Sequence, residues 1–172
     1  MRKALVIGIL FSLCSLAAMA AEADYPKGEL FGGYQYSHLE GGVNANGFDF
    51  AVNGNFNNYF GMTADLGSSF TTQGGVSLHN YTYTFGPQLS LRANQKYTPF
   101  VHVLLGGDHA SASFAGVSAT GNGFALLGGG GVDFNFNKYM AFRGGADWMW
   151  MHSNGVSSSK NVRMLMGVVF RY

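Results

Sequence analysis

Five acids and four arginines fall at alternating positions within runs that alternate apolar and polar residues. They are Glu29, Asp49, Asp65, Asp133 and Asp147, with Arg92, Arg143, Arg163 and Arg171. Alternate residues of a strand share a face, so these charges lie opposite the aromatic and aliphatic side chains of the same runs. Charges gathered on one enclosed face must be paired or hydrated, because an unpaired buried charge is costly. The pattern therefore supports a salt-bridge network that plugs an interior, and secondly a selective ion path through the same charges. Asp133 and Arg143 form the sharpest pair. Each stands five positions from Lys138, and a hairpin regular about that residue makes them direct cross-strand neighbours. Asp147, further along the same face as Arg143, is placed to share its guanidinium, which has donors enough for two carboxylates.

The histidines offer less. His38, His109 and His152 fall near segment ends, and His102 lies on the charged face. No two of them stand at ligand spacing with a carboxylate or cysteine, so neither a metal nor any other cofactor is expected. His109-Ala110-Ser111 places a His and a Ser on one face of a strand extension. The acid that such a pair needs is not evident, because Asp108 has the opposite parity. No catalytic residue is expected. The Gly128–Gly131 run has no helix pattern after it and no attached Lys-Ser/Thr, so it suits tight strand curvature better than phosphate binding.

The chain that positions these groups has 172 residues, of which 11% are charged, 15% are aromatic and 26 are Gly. Ordinary soluble domains carry about 25% charged residues, so this chain can barely furnish a water-facing surface. The aromatic content excludes a disordered chain, and the glycines lack the period of three of collagen. A formal charge of +1 leaves no nucleic-acid footprint. Met1-Arg2-Lys3, the apolar run Ala4 to Leu16 and the small-x-small site Ala18-Met19-Ala20 predict a cleavable secretory signal peptide over residues 1–20. The single cysteine, Cys14, falls inside it, preceded by Leu13 where a lipobox would carry Gly or Ala, so neither a lipid anchor nor a disulfide is expected. Residues 21–172 then form one domain. They contain no apolar run of the ~18 residues that a membrane helix requires. A membrane β-barrel stays open, since alternating strands hold mean hydropathy near zero.

Period two runs through eight segments: Glu29–His38, Gly47–Phe56, Phe60–Phe70, Val76–Arg92, Tyr97–Gly107, Asn122–Phe136, Met140–Met151 and Asn161–Tyr172. Short turns at 57–59, 93–96 and 137–139 alternate with longer Gly/Ser/Asn/Thr-rich connections at 39–46, 71–75, 108–121 and 152–160. This describes an up-and-down meander with one plain and one elaborated end. Eight strands enclose little volume, and the Phe, Tyr, Trp, Leu, Met and Val of the apolar face are too bulky to fit inside. The arrangement is therefore inverted, with small and charged residues inside and apolar ones toward lipid. Aromatics cluster toward both ends: Tyr59, Phe60, Tyr97, Tyr139 and Tyr172 at one, and Tyr34, Tyr36, Phe70, Tyr81, Trp148 and Trp150 at the other. Two such belts match the two interfaces of a bilayer. The fold class is all-β, an eight-stranded antiparallel up-and-down transmembrane β-barrel.

Four stretches resemble the small outer-membrane β-barrel proteins of the OmpA/OmpX/opacity-like group. They are Leu30–Tyr34, Thr98–His102 with Leu104-Leu105-Gly106, Phe142–Trp148, and Gly167-Val168-Val169-Phe170-Arg171-Tyr172. The last is similar to the C-terminal signal read by the barrel-assembly machinery, with Gly167, Phe170 and Tyr172 as its key positions. Leu165 departs from that signal, where a polar residue is usual. The larger members append a peptidoglycan-binding domain, which is not expected here. The resemblance implies an integral protein of the outer membrane of a Gram-negative bacterium, most often a monomer. Its partners would be outer-membrane lipids and lipopolysaccharide, the assembly machinery, and any surface partner reached through the long connections. The expected role is non-enzymatic, in envelope integrity or surface interaction, with a small pore or ligand-binding barrel as the alternative. The His109/Ser111 pair resembles, more distantly, that of the barrel lipid A deacylases.

Overall fold

The computed structural model describes residues 25–73, 75–114, 117–153 and 155–172. The signal peptide expected over 1–20 lies outside these residues. Eight strands follow in order: β1 (Gly28–Leu39), β2 (Val43–Asn55), β3 (Phe60–Gln73), β4 (Val76–Ser90), β5 (Tyr97–Phe114), β6 (Val117–Asn135), β7 (Met140–Ser153) and β8 (Val156–Arg171). Each pairs antiparallel with its sequence neighbours, and β8 pairs with β1, which closes the barrel. Closure leaves no edge, so every strand finds ladder partners on both sides, as a hydrocarbon surrounding demands.

The three short turns share one device. Asn57 Oδ1 accepts the backbone N–H groups of Tyr59 and Phe60, both at 2.8 Å. Asn137 Oδ1 accepts those of Tyr139 and Met140 at 2.8 and 2.9 Å, and Asn94 Oδ1 accepts that of Lys96 at 2.8 Å. An Asn side chain that satisfies N–H groups two and three residues on fixes a tight reversal. A fixed reversal in turn fixes which residues oppose each other along the strands.

At the opposite end the structure departs from the sequence reading. The connections expected at 39–46, 71–75, 108–121 and 152–160 are for the most part strand. β5 runs on to Phe114 and β6 begins at Val117, with an unbroken ladder from Asp108↔Gly123 to Phe114↔Val117. Ser, Gly and Asn have low strand propensity, but that propensity is weak and context-dependent. A ladder already in register extends pair by pair without further loop closure. Membrane strands need about 9–11 residues to cross, whereas β5 has 18 and β6 has 19. The surplus carries this hairpin beyond the outer aromatic belt. Gly75 and Gly155 have φ of 82° and 78°, a region that only glycine enters freely, in two of the tight reversals at this end.

The outward face is apolar. Phe48, Leu66, Val101, Val103 and Met164 are exposed, as are Tyr59, Tyr97 and Tyr139 at the short-turn end and Tyr34, Tyr81 and Trp148 toward the other. The inward face is less uniformly polar than its charges suggest. Phe31, Ala51, Ala141, Leu165 and Val169 form one buried apolar cluster. Leu104, Ala125, Leu127 and Met149 form a second, with Leu39 and Met151 packed on it.

Candidate functional site

The candidate site is the barrel interior, and its charges fall into two tiers. The tier nearer the short turns gathers side chains from five strands and the segment after β4. Arg143 (β7) donates from Nε to Asp133 Oδ1 at 2.7 Å and from Nη2 to Asp133 Oδ2 at 2.9 Å. Its Nη2 also reaches Glu29 Oε2 at 3.0 Å. Arg92 donates from Nη2 to Glu29 Oε1 at 2.9 Å and from Nη1 to the carbonyl of Asn58 at 2.8 Å. Arg171 donates from Nη2 to Asp133 Oδ2 at 2.6 Å. The Phe100 ring lies 4.3 Å from the Arg143 guanidinium carbon, and that of Phe31 lies 5.6 Å from it. The rings cover a guanidinium face that cannot form hydrogen bonds.

The second tier is built around one arginine. Arg163 (β8) has 0% side-chain exposure and binds three aspartates. Nε and Nη2 both reach Asp147 Oδ2, at 2.8 and 2.6 Å. Nη1 reaches Asp49 Oδ2 and Asp65 Oδ1, each at 2.8 Å, and Nη2 reaches Asp65 Oδ2 at 3.0 Å. His102 Nε2–H donates to the free oxygen of Asp147 at 2.7 Å. Gly129 stands opposite Asp147 in the ladder. A Cβ there would lie 2.1 Å from Asp147 Oδ1, so the glycine makes room for the carboxylate.

The structure thus places all nine charges inside, eight of them buried and Arg92 partly so. Asp133 stands directly across from Arg143. Asp147 does not share that guanidinium: it turns toward the other end of the barrel, to Arg163 and His102. In formal charge, the first tier sets three arginines against two acids, and the second sets one arginine against three. The tiers are therefore of opposite excess, and each is neutralised partly by its neighbour. The apolar inward residues Phe31, Leu127 and Met149 were missed by the sequence reading, although they share parity with the charges on their own strands.

Of the expected assembly positions, Phe170 and Tyr172 are outward and exposed. Gly167 is inward, opposite both Gly33 and Arg143. The Tyr172 ring lies over Gly28, where a Cβ would meet it at 2.2 Å. The N–H groups of Tyr172 and Gly28 each donate to the other's carbonyl at 3.1 Å. His109 and Ser111 face outward without forming a pair. His109 Nδ1 bonds Asn122 Oδ1 at 2.7 Å, and the residue directly across from Ser111 is His79.

Comparison with known proteins agrees with this architecture. A family model described as outer membrane protein beta-barrel domain matches residues 7–165. No curated protein matches the chain. Among solved structures, Ail, the attachment invasion locus protein of Yersinia pestis, is similar at 20% identity and a TM-score of 0.63, over 86% of this chain and 99% of that one. Ail has also been solved with the heparin analogue sucrose octasulfate. Neisserial surface protein A aligns with a TM-score of 0.69 at 11% identity, over 84% of this chain and 96% of its own. The outer membrane protein OprG of Pseudomonas aeruginosa aligns at 0.62 and 11%, over 86% and 96%. At these identities the likeness is one of fold.

Proposed function

This chain belongs to the family of outer membrane protein β-barrel domains, and on that premise we propose that it is a closed, non-conducting envelope protein whose outer end serves as an interaction surface. Family and fold point to the outer membrane of a Gram-negative bacterium. The observation that carries the non-conducting reading is Arg163. It is fully buried at the centre of the lumen and tied to carboxylates on three other strands. An ion crossing here would have to displace charges that are already paired, and leaving any one of them unpaired is costly. The apolar layer of Leu104, Leu127 and Met149 lies beyond that tier and adds a dry barrier.

The outward apolar band fits lipid and lipopolysaccharide acyl chains. The exposed Phe170 and Tyr172, with Gly167, fit recognition by the assembly machinery after export through a signal peptide. The reading is non-enzymatic, and it is supported by His109 Nδ1 being bonded to Asn122 Oδ1. Ail is named for attachment and invasion and has been solved with sucrose octasulfate, a polyanion. Among the described residues of the strand extensions here, Lys160 is the sole Lys or Arg, and Glu40 lies close to it. A surface role for this chain therefore rests on uncharged contacts rather than on sulfate binding. The test is conductance of the purified protein in planar bilayers. No stable unit conductance is expected, and a stable one would replace this reading with that of a small pore.

A further inference from the structure

We propose that the outer mouth of the barrel is a binding cup for a small amphiphile with a primary ammonium head. Above the Leu104–Leu127–Met149 layer the lumen does not fill. It opens into a cavity of about 340 Å³, within the range of small-molecule sites. Seven of the eight strands contribute inward residues to its wall, among them Leu39, Ala45, Leu78, Ala110, Ala119 and Met151. The apolar layer closes the bottom, so this is a blind cup rather than the entrance to a channel. It lies at the level of the outer aromatic belt, where Tyr81 stands opposite His109.

The head-group chemistry follows from Asp108. Glu29, Asp49, Asp65, Asp133 and Asp147 are each held by an arginine. Asp108 faces the same lumen and is only 6% exposed, yet among the described residues it forms no salt bridge, and its Oδ1 has no hydrogen-bond partner. Gly123 opposite leaves the room it occupies, since a Cβ there would lie 2.4 Å from that oxygen. Two further oxygens of β4 lack partners. One of them is Asn80 Oδ1, across the ladder from Ala110 and in the wall of the same cavity; the other, Thr82 Oγ1, points down beside Gly67 toward the Arg163 tier and stands outside the cup. An ammonium group has three donors and no acceptor, which suits a carboxylate with an unpartnered oxygen and the amide oxygen of Asn80 in the same wall. An anionic head would meet the carboxylate and be repelled. The apolar wall takes the tail, and the open mouth admits the ligand from outside the cell.

The test uses the full mature chain in zwitterionic lipid nanodiscs, with alanine and methionine methyl NMR as the readout. Octylamine and octanoate have equal tails and opposite heads. Octylamine should shift the methyls of Ala110, Ala119 and Met151 in a saturable way, and octanoate should bind about tenfold more weakly or worse. Asp108→Asn, nearly isosteric, should abolish that preference while the sample keeps its folded migration in unboiled gels. Ala110→Trp, which fills the open mouth, should remove binding of both. Equal affinity for the two heads, an unchanged preference in Asp108→Asn, or shifts spread over lipid-facing methyls in place of the cup would each overturn the proposal. None of these outcomes depends on whether the barrel conducts, so the cup and the closed-barrel reading fail separately.

Discussion

Arg143 grips Asp133 with two parallel hydrogen bonds, Nε to Oδ1 at 2.7 Å and Nη2 to Oδ2 at 2.9 Å, straight across the β6–β7 ladder. Bidentate pairs of this kind are among the strongest polar contacts, and this one stands ten residues apart in sequence around the turn at 136–139. The same guanidinium ties β7 to Glu29 of β1. The pair therefore belongs both to one hairpin and to the closure of the barrel.

Asp133→Ala and Arg143→Ala should each lower the unfolding midpoint, by about 3–5 kcal/mol in a dry setting and less where lumen water reaches the orphaned partner. The double variant should cost less than the sum. Asp147→Ala, four residues along the same strand, should instead be nearly additive with Arg143→Ala, because Asp147 binds Arg163. Urea unfolding of the three single and two double variants in one lipid system checks both statements. Strong coupling of Arg143 to Asp147 with none to Asp133 would contradict the observed register.

Replacing Arg163 leaves Asp49, Asp65 and Asp147 facing one another without their shared cation. Arg163→Met should be the most destabilising single change in the lumen, at about 3–5 kcal/mol or more. Adding Asp65→Asn to it should restore part of the loss, since one of the uncompensated charges disappears. The measurement is the midpoint of the heat-modifiable gel shift. A double variant less stable than Arg163→Met alone would show that repulsion is not what the arginine relieves.

The terminal ring lies over Gly28 and the terminal strand closes the barrel. Gly28→Val should displace Tyr172 and slow assembly while leaving the lumen charges intact. Phe170→Asp with Tyr172→Asp should act more severely, because two carboxylates are then placed against lipid. Cell fractionation should show lower outer-membrane levels and more periplasmic degradation for both. Unchanged levels in the double aspartate variant would remove the last strand from any role in assembly.

Glu40, in the β1–β2 turn, reaches across to β8. Its Oε2 accepts the backbone N–H of Ser159 at 3.1 Å, and hydrogen bonds from the Ser158 side chain and the Ser159 backbone hold its carboxyl below the usual carboxylate range. A depressed value in the folded state means that the contact contributes fully above pH 4.5 and fades as pH falls through the folded-state value. The amide chemical shift of Ser159 should therefore titrate with a midpoint below 4.5, and Glu40→Gln should abolish that titration. A midpoint at or above 4.5 in the parent protein would show the β1–β2 turn and β8 to be unlinked in solution.

How far the sequence reaches is clearest at Asp133 and Arg143. Parity put both inside, and a short turn centred on Lys138 put them opposite each other. Both are local facts, because side chains alternate with period two and a short turn sets the count. The same reasoning failed at Asp147, which pairs with Arg163 sixteen residues on and not with the nearer Arg143. It could not reach Arg163–Asp65, ninety-eight residues apart. Such partners depend on the diameter of the closed barrel and on the stagger of its strands, which no single hairpin determines.

The outer end was illegible for a different reason. Ser111, Ser113, Ser118 and Gly121 read as a loop because small polar residues and glycine are poor strand formers alone. In the folded chain they continue a ladder whose register the membrane-embedded part had already set. The apolar layer of Leu104, Leu127 and Met149 was likewise visible only as parity, since three apolar residues on three strands become a layer only when closure brings them to one height. Sequence alone determined the strand period, the number of strands and which face meets lipid, because these follow from alternation and from what hydrocarbon permits. Only the tertiary structure decided which acid each arginine holds and where the lumen is left open above its plug, because both are set by distances across the barrel rather than along the chain.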